Sequence, residues 1–370
     1  MTDSYCPAPF RHMALWPETT TYAPCGSWAH DQLPDVPVNT TNPIQHPWWQ
    51  SLREKMLNGE QIPGCSRCYR KESIGVFSQR RGLISIYGKP IDVELDYFDI
   101  NFGNLCNMKC RMCHSGNSSR WMADDLKIKG KTHPHIRRSA NDILADWSKI
   151  HKLRFIGGEP MLEQEQIIKI LEQVLNAQQS LNNITVYIQS NGTVDLIPKL
   201  KELLFQCEHV EMSISFDGIG LINDYQRTGG IWSEIAERAK LYDSWSSKQW
   251  RQCIASSIGI FTIDGYIDLV DWVSLNLPNS HHEVQAIDYP LEQAVGNLPT
   301  YYKEELINKI TLWNPSASNN RLKPVALQML NENPKVSLEQ VKSHIKMLDQ
   351  LRQENLKDVN IRLYNAIFSE

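Results

Sequence analysis

The sequence predicts an α/β fold built on a mostly parallel sheet. After residue 96, short runs with the apolar alternation of strands are separated by segments with the periodicity of amphipathic helices. The strand-like runs are residues 97–103, 152–157, 184–190, 209–216, 252–261 and 283–288. Strands that alternate with helices indicate βαβ units and a parallel sheet. Six such units are too few for a closed eight-strand barrel, so we expect an open, partial (β/α)6 barrel.

The helical segments between these runs have an apolar stripe. In residues 162–175, apolar side chains recur at helical spacing, and acidic residues stand in the first turn, where they favour a helix. The apolar positions are Leu162, Ile167, Ile170, Leu171, Val174 and Leu175. The cysteine-free segment 298–370 is also predicted to be helical and to close the open side of the barrel.

Three of the predicted strands carry polar residues on one face only. These residues are Asp99 and Asn101, Tyr187 and Gln189, and Glu211, Ser213 and Ser215. Strands packed on both faces are apolar throughout, so the pattern predicts a polar cavity that holds a ligand. A few hydrogen-bonded core residues would give the same pattern. Asp99, Glu211 and Asp217 are candidates for an acid or base by position only, and no catalytic residue is assigned.

Composition describes an ordinary globular protein. The chain has 370 residues, with 41% hydrophobic and 22% charged residues and a net charge of −4, which gives no reason to expect nucleic acid as a partner. The N-terminus lacks the features of a secretory signal, and no apolar run approaches the length of a membrane span. We therefore expect a cytoplasmic protein without a membrane partner. Thiols stay reduced in that compartment, so grouped cysteines indicate metal binding more than disulfides.

The most informative motif is the C-x3-C-x2-C array of Cys106, Cys110 and Cys113, which follows the first of the six runs. Iron–sulfur clusters are normally closed by four thiolates. A three-thiol array can hold three irons of a cubane and leave the fourth iron open to another ligand. A zinc-binding loop, or three cysteines without a metal, would be the alternatives from spacing alone.

Further motifs follow three of the next runs. Residues 157–159 are Gly-Gly-Glu, where two glycines allow close backbone approach to a ligand and the acid can accept hydrogen bonds from an ammonium group. Residues 190–193 are Ser-Asn-Gly-Thr, and residues 215–218 are Ser-Phe-Asp-Gly, with Arg227 ten residues beyond Asp217. All stand at the carboxyl ends of predicted parallel strands, where α/β proteins assemble their active sites.

In this order, the motifs resemble those of the radical S-adenosylmethionine (SAM) superfamily. The resemblance implies a [4Fe–4S] cluster on Cys106, Cys110 and Cys113, with SAM on the open iron. It also implies that the GGE motif meets the amino group of SAM, that serine groups contact its ribose or methionyl part, and that Arg227 pairs with its carboxylate. The implied SAM-binding residues are Gly157, Gly158, Glu159, Ser190, Asn191, Ser215, Asp217 and Arg227.

Four further cysteines precede the predicted barrel: Cys6, Cys25, Cys65 and Cys68. They make one full coordination set, and a structural zinc site would use the same set. The Cys-x-x-Pro-Phe start at residues 6–10 and the Gly-Cys-x-x-Cys-Tyr end at residues 64–69 resemble the SPASM/twitch type of auxiliary-cluster module. That module precedes the barrel here, as in the subgroup called twitch-domain radical SAM proteins. The resemblance implies a second, auxiliary [4Fe–4S] cluster.

These observations predict three domains: an auxiliary iron–sulfur module at 1–92, a partial radical SAM barrel at 93–297 and a C-terminal helical extension at 298–370. Cys207 and Cys253 lie in helix or strand patterns and are expected to be inert core thiols.

The resemblance implies an oxidoreductase or modifying enzyme that cleaves SAM reductively and abstracts hydrogen from a substrate. A peptide or protein is the expected substrate, and a sugar-like or nucleoside small molecule is the alternative. A flavodoxin or ferredoxin is the expected electron donor. A non-catalytic sensor that binds SAM or a cluster is the rival from a different class.

Overall fold

The computed structural model describes residues 4–16, 21–38, 40, 42–73, 77–89 and 92–369. The chain divides into two compact units, each made of several segments. The first unit contains residues 1–105, 133–188 and 196–210, and the second contains residues 106–132, 189–195 and 211–370. The domain boundaries at residues 92 and 297 stay predictions.

The strands alternate with helices, and the predicted α/β class is confirmed. The strands are β1 (His12–Leu15), β2 (Tyr22–Ala23), β3 (Tyr97–Asn101), β4 (Lys152–Ile156), β5 (Thr185–Ser190), β6 (His209–Ser215), β7 (Trp250–Ile258) and β8 (His281–Ala286). All six runs predicted after residue 96 form strands. β5 ends at its predicted residue, and the other five strands end one to three residues before theirs. The six strands and the helices between them agree with a partial (β/α)6 barrel.

In the first unit, the strand order is β2-β1-β3-β4-β5. β1 is antiparallel to β2, while the pairs β1–β3, β3–β4 and β4–β5 are parallel. β1 and β2 belong to the cysteine-rich N-terminal segment and were not predicted from the sequence. Both are short, and every residue in them is buried, so they lack the polar–apolar alternation that reveals a half-exposed strand.

In the second unit, β6, β7 and β8 follow one another, and β7 pairs with β8 in parallel. The C-terminal segment is helical, as expected, and its helices pack on β8 and on the short helix Leu221–Gln226. Alternate residues of β6 are buried, with the polar residues between them less so. The alternation predicted from the sequence is therefore present in this strand.

Fifteen α-helices lie in the described residues. They are α1 (Ala8–Arg11), α2 (Pro47–Leu57), α3 (Ser66–Ser73), α4 (Gln79–Tyr87), α5 (Met122–Lys129), α6 (Gln164–Gln178), α7 (Pro198–Leu204), α8 (Leu221–Gln226), α9 (Trp232–Ser244), α10 (Tyr266–Asn276), α11 (Thr300–Leu312), α12 (Leu322–Leu330), α13 (Leu338–Arg352), α14 (Leu356–Val359) and α15 (Ile361–Phe368). Helix α6 begins two residues later than predicted, because residues Pro160–Glu163 form a 3-10 turn. The carboxylate of Glu159 accepts a hydrogen bond from Met161 N and caps this turn.

Candidate cluster and cofactor sites

Residues 106–113, here called the three-cysteine loop, hold Cys106, Cys110 and Cys113 in the second unit. Cys106 is buried and the other two thiols are partly exposed; none forms a disulfide. The loop is tied to the end of α8 and the residues after it, because Lys109 N donates to Thr228 O at 2.9 Å and Arg111 N donates to Gln226 O at 2.8 Å. Main-chain hydrogen bonds thus fix the loop conformation on both sides of Cys110.

The three thiols are close enough to affect one another. Desolvation raises the pKa of Cys113, and the neighbouring Cys110 and Cys106 raise it further. Desolvation also raises the pKa of Cys110, although the guanidinium of Arg227 opposes that effect. A group of soft thiolate donors that repel one another when ionised is a favourable site for a cationic metal centre.

Within the described part of the chain, no three His, Cys, Asp or Glu side chains converge to hold a common metal ion. In an iron–sulfur cubane, each thiolate binds a different iron, and its ligands need not converge on one point. The donor set of the three-cysteine loop therefore fits a cluster of this kind.

Asn191, predicted to contact SAM, touches the three-cysteine loop. Its Nδ2 lies 3.9 Å from the sulfur of Cys106 and donates to Asn107 Oδ1 at 2.9 Å. Asn107 in turn donates to the hydroxyl of Thr193 at 2.7 Å, and that hydroxyl donates to Asn191 Oδ1 at 2.6 Å. Ser190 is buried and accepts a hydrogen bond from Gly192 N. The Ser-Asn-Gly-Thr motif is thus joined to the first cysteine of the array by side-chain hydrogen bonds.

The GGE motif packs against main chain in the first unit. Gly158 N donates to Gly103 O at 3.1 Å, and Glu159 N donates to Leu105 O at 2.7 Å. A Cβ on Gly158 would lie 2.2 Å from Leu105 O, so only glycine fits there. Gly157 has a φ of +142°, which disfavours other residues. Gly158 therefore serves the packing of the chain segment that directly precedes Cys106, and a Cβ on Gly157 would lie 2.8 Å from Asn101 Oδ1.

Asp217 and Arg227 form a buried ion pair in the second unit. Arg227 Nε lies 2.7 Å from Asp217 Oδ2, and its Nη2 donates to Oδ1 at 2.9 Å. Ser257 N also donates to Oδ1 of Asp217, at 2.7 Å. Burial alone lowers the pKa of Arg227, but Asp217 more than reverses that effect and leaves the pKa raised. Both residues were predicted from their motif, whereas their pairing was not. Ser215 lies buried at the end of β6.

The four N-terminal cysteines come together in the first unit, although 62 positions separate Cys6 from Cys68 in sequence. All four are buried and free. Burial raises the pKa of Cys6 to about 12, and the nearby thiols of Cys65 and Cys68 contribute to the increase. The pKa of Cys25 is raised by burial and by the other three cysteines. We call Cys6, Cys25, Cys65 and Cys68 the four-cysteine group.

Aromatic and charged side chains enclose the four-cysteine group. Trp16 and Trp28 share its apolar core, and a Cβ on Gly64 would lie 2.1 Å from the Trp28 ring, so glycine is required beside Cys65. Arg80 pairs with Glu72, stacks on Tyr69 and donates to Tyr5 O at 2.8 Å. A buried thiol group with a fixed cation at its edge fits an anionic cluster. Cys207 and Cys253 are buried and lie outside this group.

A polar group lies next to Cys25, on the face of the sheet where polar residues were predicted. His12 Nε2 is 3.2 Å from Asp99 Oδ2, and both side chains are fully buried. A Cβ on Gly26 would lie 2.9 Å from the same carboxylate oxygen. Burial raises the pKa of Asp99, but His12 and Arg154 outweigh that effect and hold the pKa below its usual value. The carboxylate is therefore ionised beside the four-cysteine group.

Comparison with known proteins identifies the central part of the chain. Residues 100–240 match the family model described as the Radical SAM superfamily. These residues form a radical SAM domain. All eleven residues predicted to bind its cluster or SAM lie within the matched segment, and membership implies a [4Fe–4S] cluster and SAM as cofactors. The four-cysteine group lies outside the segment, so its SPASM/twitch character and second cluster stay predictions.

Individual relatives are more distant. An uncharacterized protein of Methanocaldococcus jannaschii is 32% identical over 127 residues, which are 34% of this chain and 39% of that protein. The chain thus matches about two fifths of the length of that curated relative. The anSMEcpe structure with bound AdoMet is 18% identical, with 58% of this chain and 60% of that chain covered and a TM-score of 0.40. Streptococcus suis SuiB bound to the precursor peptide SuiA is 12% identical, with 88% and 70% covered and a TM-score of 0.38.

In the described residues, no helix is long and apolar enough to cross a membrane.

Proposed function

We propose that this protein is a radical SAM enzyme that cleaves SAM reductively and abstracts a hydrogen atom from a substrate. The observation that carries the proposal is the three-cysteine loop within the matched radical SAM segment. None of its three thiols forms a disulfide, Cys113 interacts with the other two, and its main chain is held in place on both sides of Cys110. When bound, the cluster supplies one electron to SAM, which yields methionine and a 5′-deoxyadenosyl radical.

The residues of the loop leave one iron without a protein thiolate. Cys106, Cys110 and Cys113 supply three ligands, and a [4Fe–4S] cluster has four irons. The amino and carboxylate groups of SAM are the ligands that we propose for the fourth. Asn191 would direct an amide donor at the sulfur of Cys106, where hydrogen bonds influence the reduction potential.

Several residues have proposed roles toward SAM. Gly157, Gly158 and Glu159 offer main-chain groups to its amino group. Ser190 and Ser215 are proposed to contact the ribose or methionyl part. Arg227 would contact both Asp217 and the SAM carboxylate. A guanidinium has five N–H donors, and Arg227 uses only its Nε and Nη2 nitrogens to contact Asp217.

We also propose that the four-cysteine group holds an auxiliary [4Fe–4S] cluster. Four buried thiols that interact with one another provide a complete ligand set without a free coordination site. Oxidation of a substrate radical releases one electron and one proton. The auxiliary cluster would accept the electron, and Asp99 is a candidate proton acceptor by position, because its carboxylate lies against Gly26, next to Cys25.

A peptide or protein is the substrate class that we propose, with a flavodoxin or ferredoxin as electron donor. The support for this substrate is the resemblance of the N-terminal cysteine motifs to SPASM/twitch modules. The test is to incubate the reduced enzyme and SAM with a short peptide encoded beside its gene. Loss of two hydrogens from that peptide by mass spectrometry is expected, whereas turnover of a sugar-like alcohol instead would contradict a peptide substrate.

The experiment that tests the cluster assignment is spectroscopic. Anaerobically reconstituted and reduced protein should show the EPR signal of a [4Fe–4S] cluster, and SAM should change that signal through the open iron. Cys113→Ala should lose the SAM-dependent change. The matched control is Cys207→Ala, which removes a buried thiol outside both cysteine sets and should keep the change. A signal that SAM leaves unaltered in the wild type would contradict the proposal.

A further inference from the structure

Two buried arginines lie beside the three-cysteine loop in the second unit. Arg111 stands between Cys110 and Cys113, and Arg352 is the last residue of α13. The side chains of both have no exposed surface. Full burial of two cations is unfavourable unless charged or polar groups compensate it, so their partners indicate what the arrangement does.

Arg111 connects the loop to the C-terminal helices. Its Nη2 donates to Asp349 Oδ1 at 2.7 Å and to Glu354, and its Nε donates to Tyr225 O at 2.9 Å. The guanidinium also lies 3.5 Å from the centre of the Tyr225 ring. Two carboxylates thus compensate the charge of Arg111 within hydrogen-bond distance.

Arg352 approaches the same loop with less compensation. Its Nη1 donates to the Thr228 hydroxyl at 3.0 Å, and its Nε lies 3.5 Å from the carboxylate of Asp124. Its guanidinium lies 4.6 Å from the centre of the Trp121 ring, and Trp121 Nε1 donates to Cys110 O at 2.8 Å. The charge of Arg352 is therefore placed beside Cys110 through a single intervening aromatic ring.

The Nη2 of Arg352 is buried without a hydrogen-bond acceptor among the described residues. Buried donors are nearly always paired, and an exception requires an explanation. The Trp121 ring against which this guanidinium lies is hydrogen-bonded to the main-chain oxygen of Cys110, a proposed ligand of the cluster. The negative charge of a cluster held by Cys110 would compensate part of the buried charge of Arg352 across this ring.

We propose that Arg352 is a positioning residue of the C-terminal helix that raises the reduction potential of the cluster on Cys106, Cys110 and Cys113. This inference rests on the proposed function, because it assumes that the cluster forms. Net charge and hydrogen bonds to sulfur set the potentials of iron–sulfur clusters. Reduction adds negative charge, so a buried cation beside a ligand favours the reduced state. The C-terminal extension would then tune electron transfer to SAM.

The test is an EPR-monitored redox titration of the reconstituted full chain, following the cluster signal that responds to SAM. Arg352→Gln removes the charge and should make the cluster roughly tenfold harder to reduce, a fall of about 59 mV for a one-electron couple. Arg352→Lys keeps the charge and should stay closer to the wild type. Asp124→Asn removes the nearby negative charge and should shift the potential upward.

The matched control is Arg362→Gln, which removes an exposed arginine paired with Glu305 in the same C-terminal region. This variant should leave the reduction potential of the cluster unchanged. The iron content of each variant is measured as well, because it distinguishes a change in potential from loss of the cluster. If Arg352→Gln does not fold, the upward shift expected for Asp124→Asn and the near-wild-type potential expected for Arg352→Lys still test the inference. Wild-type potentials in Arg352→Gln, or in Asp124→Asn, would overturn it while the proposed function stands. A wild-type protein without a SAM-responsive cluster would overturn both.

Discussion

Replacing Gly158 with alanine tests whether the GGE motif shapes the protein before any cofactor binds. The added Cβ would lie 2.2 Å from Leu105 O, 2.6 Å from Leu105 C and 2.8 Å from Asn104 C. All three are main-chain atoms, so no side chain can rotate away. Ordinary contacts of carbon with a carbonyl oxygen are about 3.3 Å or longer. The main chain on one side must therefore move by roughly 1 Å.

The cost of this movement can be estimated from two contributions. Overpacking in a well-packed region costs about 1–3 kcal/mol. The hydrogen bonds from Gly158 N to Gly103 O and from Glu159 N to Leu105 O would both be distorted, and each contributes about 0.5–1.5 kcal/mol. We expect Gly158→Ala to lower the free energy of unfolding by about 2–6 kcal/mol. Leu105 directly precedes Cys106, so iron incorporation should fall as well.

The assay is urea denaturation of the protein without metal or SAM, followed by tryptophan fluorescence. Gly82→Ala is the control, because Gly82 lies inside α4 and its nearest contact is the exposed ring of Phe77 at 3.3 Å. Alanine is favoured over glycine in a helix by about 0.5–1 kcal/mol, so this variant should unfold at the same or a slightly higher urea concentration. An unchanged midpoint and iron content in Gly158→Ala would refute the steric argument.

Three further predictions follow from buried groups. Arg227→Ala leaves the Asp217 carboxylate buried without its guanidinium partner and should lower the free energy of unfolding by about 3–5 kcal/mol. The double variant Asp217→Asn/Arg227→Gln should lose less stability in urea denaturation. Equal losses in the two variants would argue against the ion pair. Replacing all four residues of the four-cysteine group with serine should lower the iron content of the reconstituted protein from ~8 to ~4 atoms per chain, measured by metal analysis. Stoichiometric zinc in the wild type would contradict an auxiliary cluster. Burial lowers the pKa of His282 to about 3, so the unfolded chain takes up the proton first. Stability should therefore fall as pH decreases from about 6.5 towards 3, by ~1.4 kcal/mol per pH unit from this group. His282→Gln should show a shallower dependence in denaturation measured at pH 6.5 and pH 4.5, and an unchanged slope would refute this assignment.

The sequence predicted the six strands after residue 96 because their burial alternates on the two faces. β4 and β6 show that alternation in the structure. β1 and β2 could not be predicted in this way, since both are fully buried and have four and two residues. β1 is placed by pairing with β3 over distant sequence, as in the register of Ala14 with Asp99, and β2 pairs with β1. Local patterns carry no information about such long-range pairing.

Site residues were predictable where chemistry requires a motif, and their partners were not. The spacing of Cys106, Cys110 and Cys113 points to the three-cysteine loop without any structure. Nothing in the sequence indicates that Asp349 lies within reach of Arg111, 238 positions earlier in the chain. The pairing of His12 with Asp99 was missed for the same reason. Ion pairs between distant segments depend on the packing of the whole unit.

Formation of 5′-deoxyadenosine tests the central claim most directly. Wild-type protein, reconstituted with iron and sulfide under anaerobic conditions and mixed with dithionite and SAM, should release 5′-deoxyadenosine and methionine in equal amounts. Cys110→Ala removes one of the three proposed ligands and should abolish the product, whereas Cys253→Ala, a buried thiol outside both cysteine sets, should retain it. Equal product from the wild type and Cys110→Ala would contradict the assignment of the three-cysteine loop as the site of SAM cleavage.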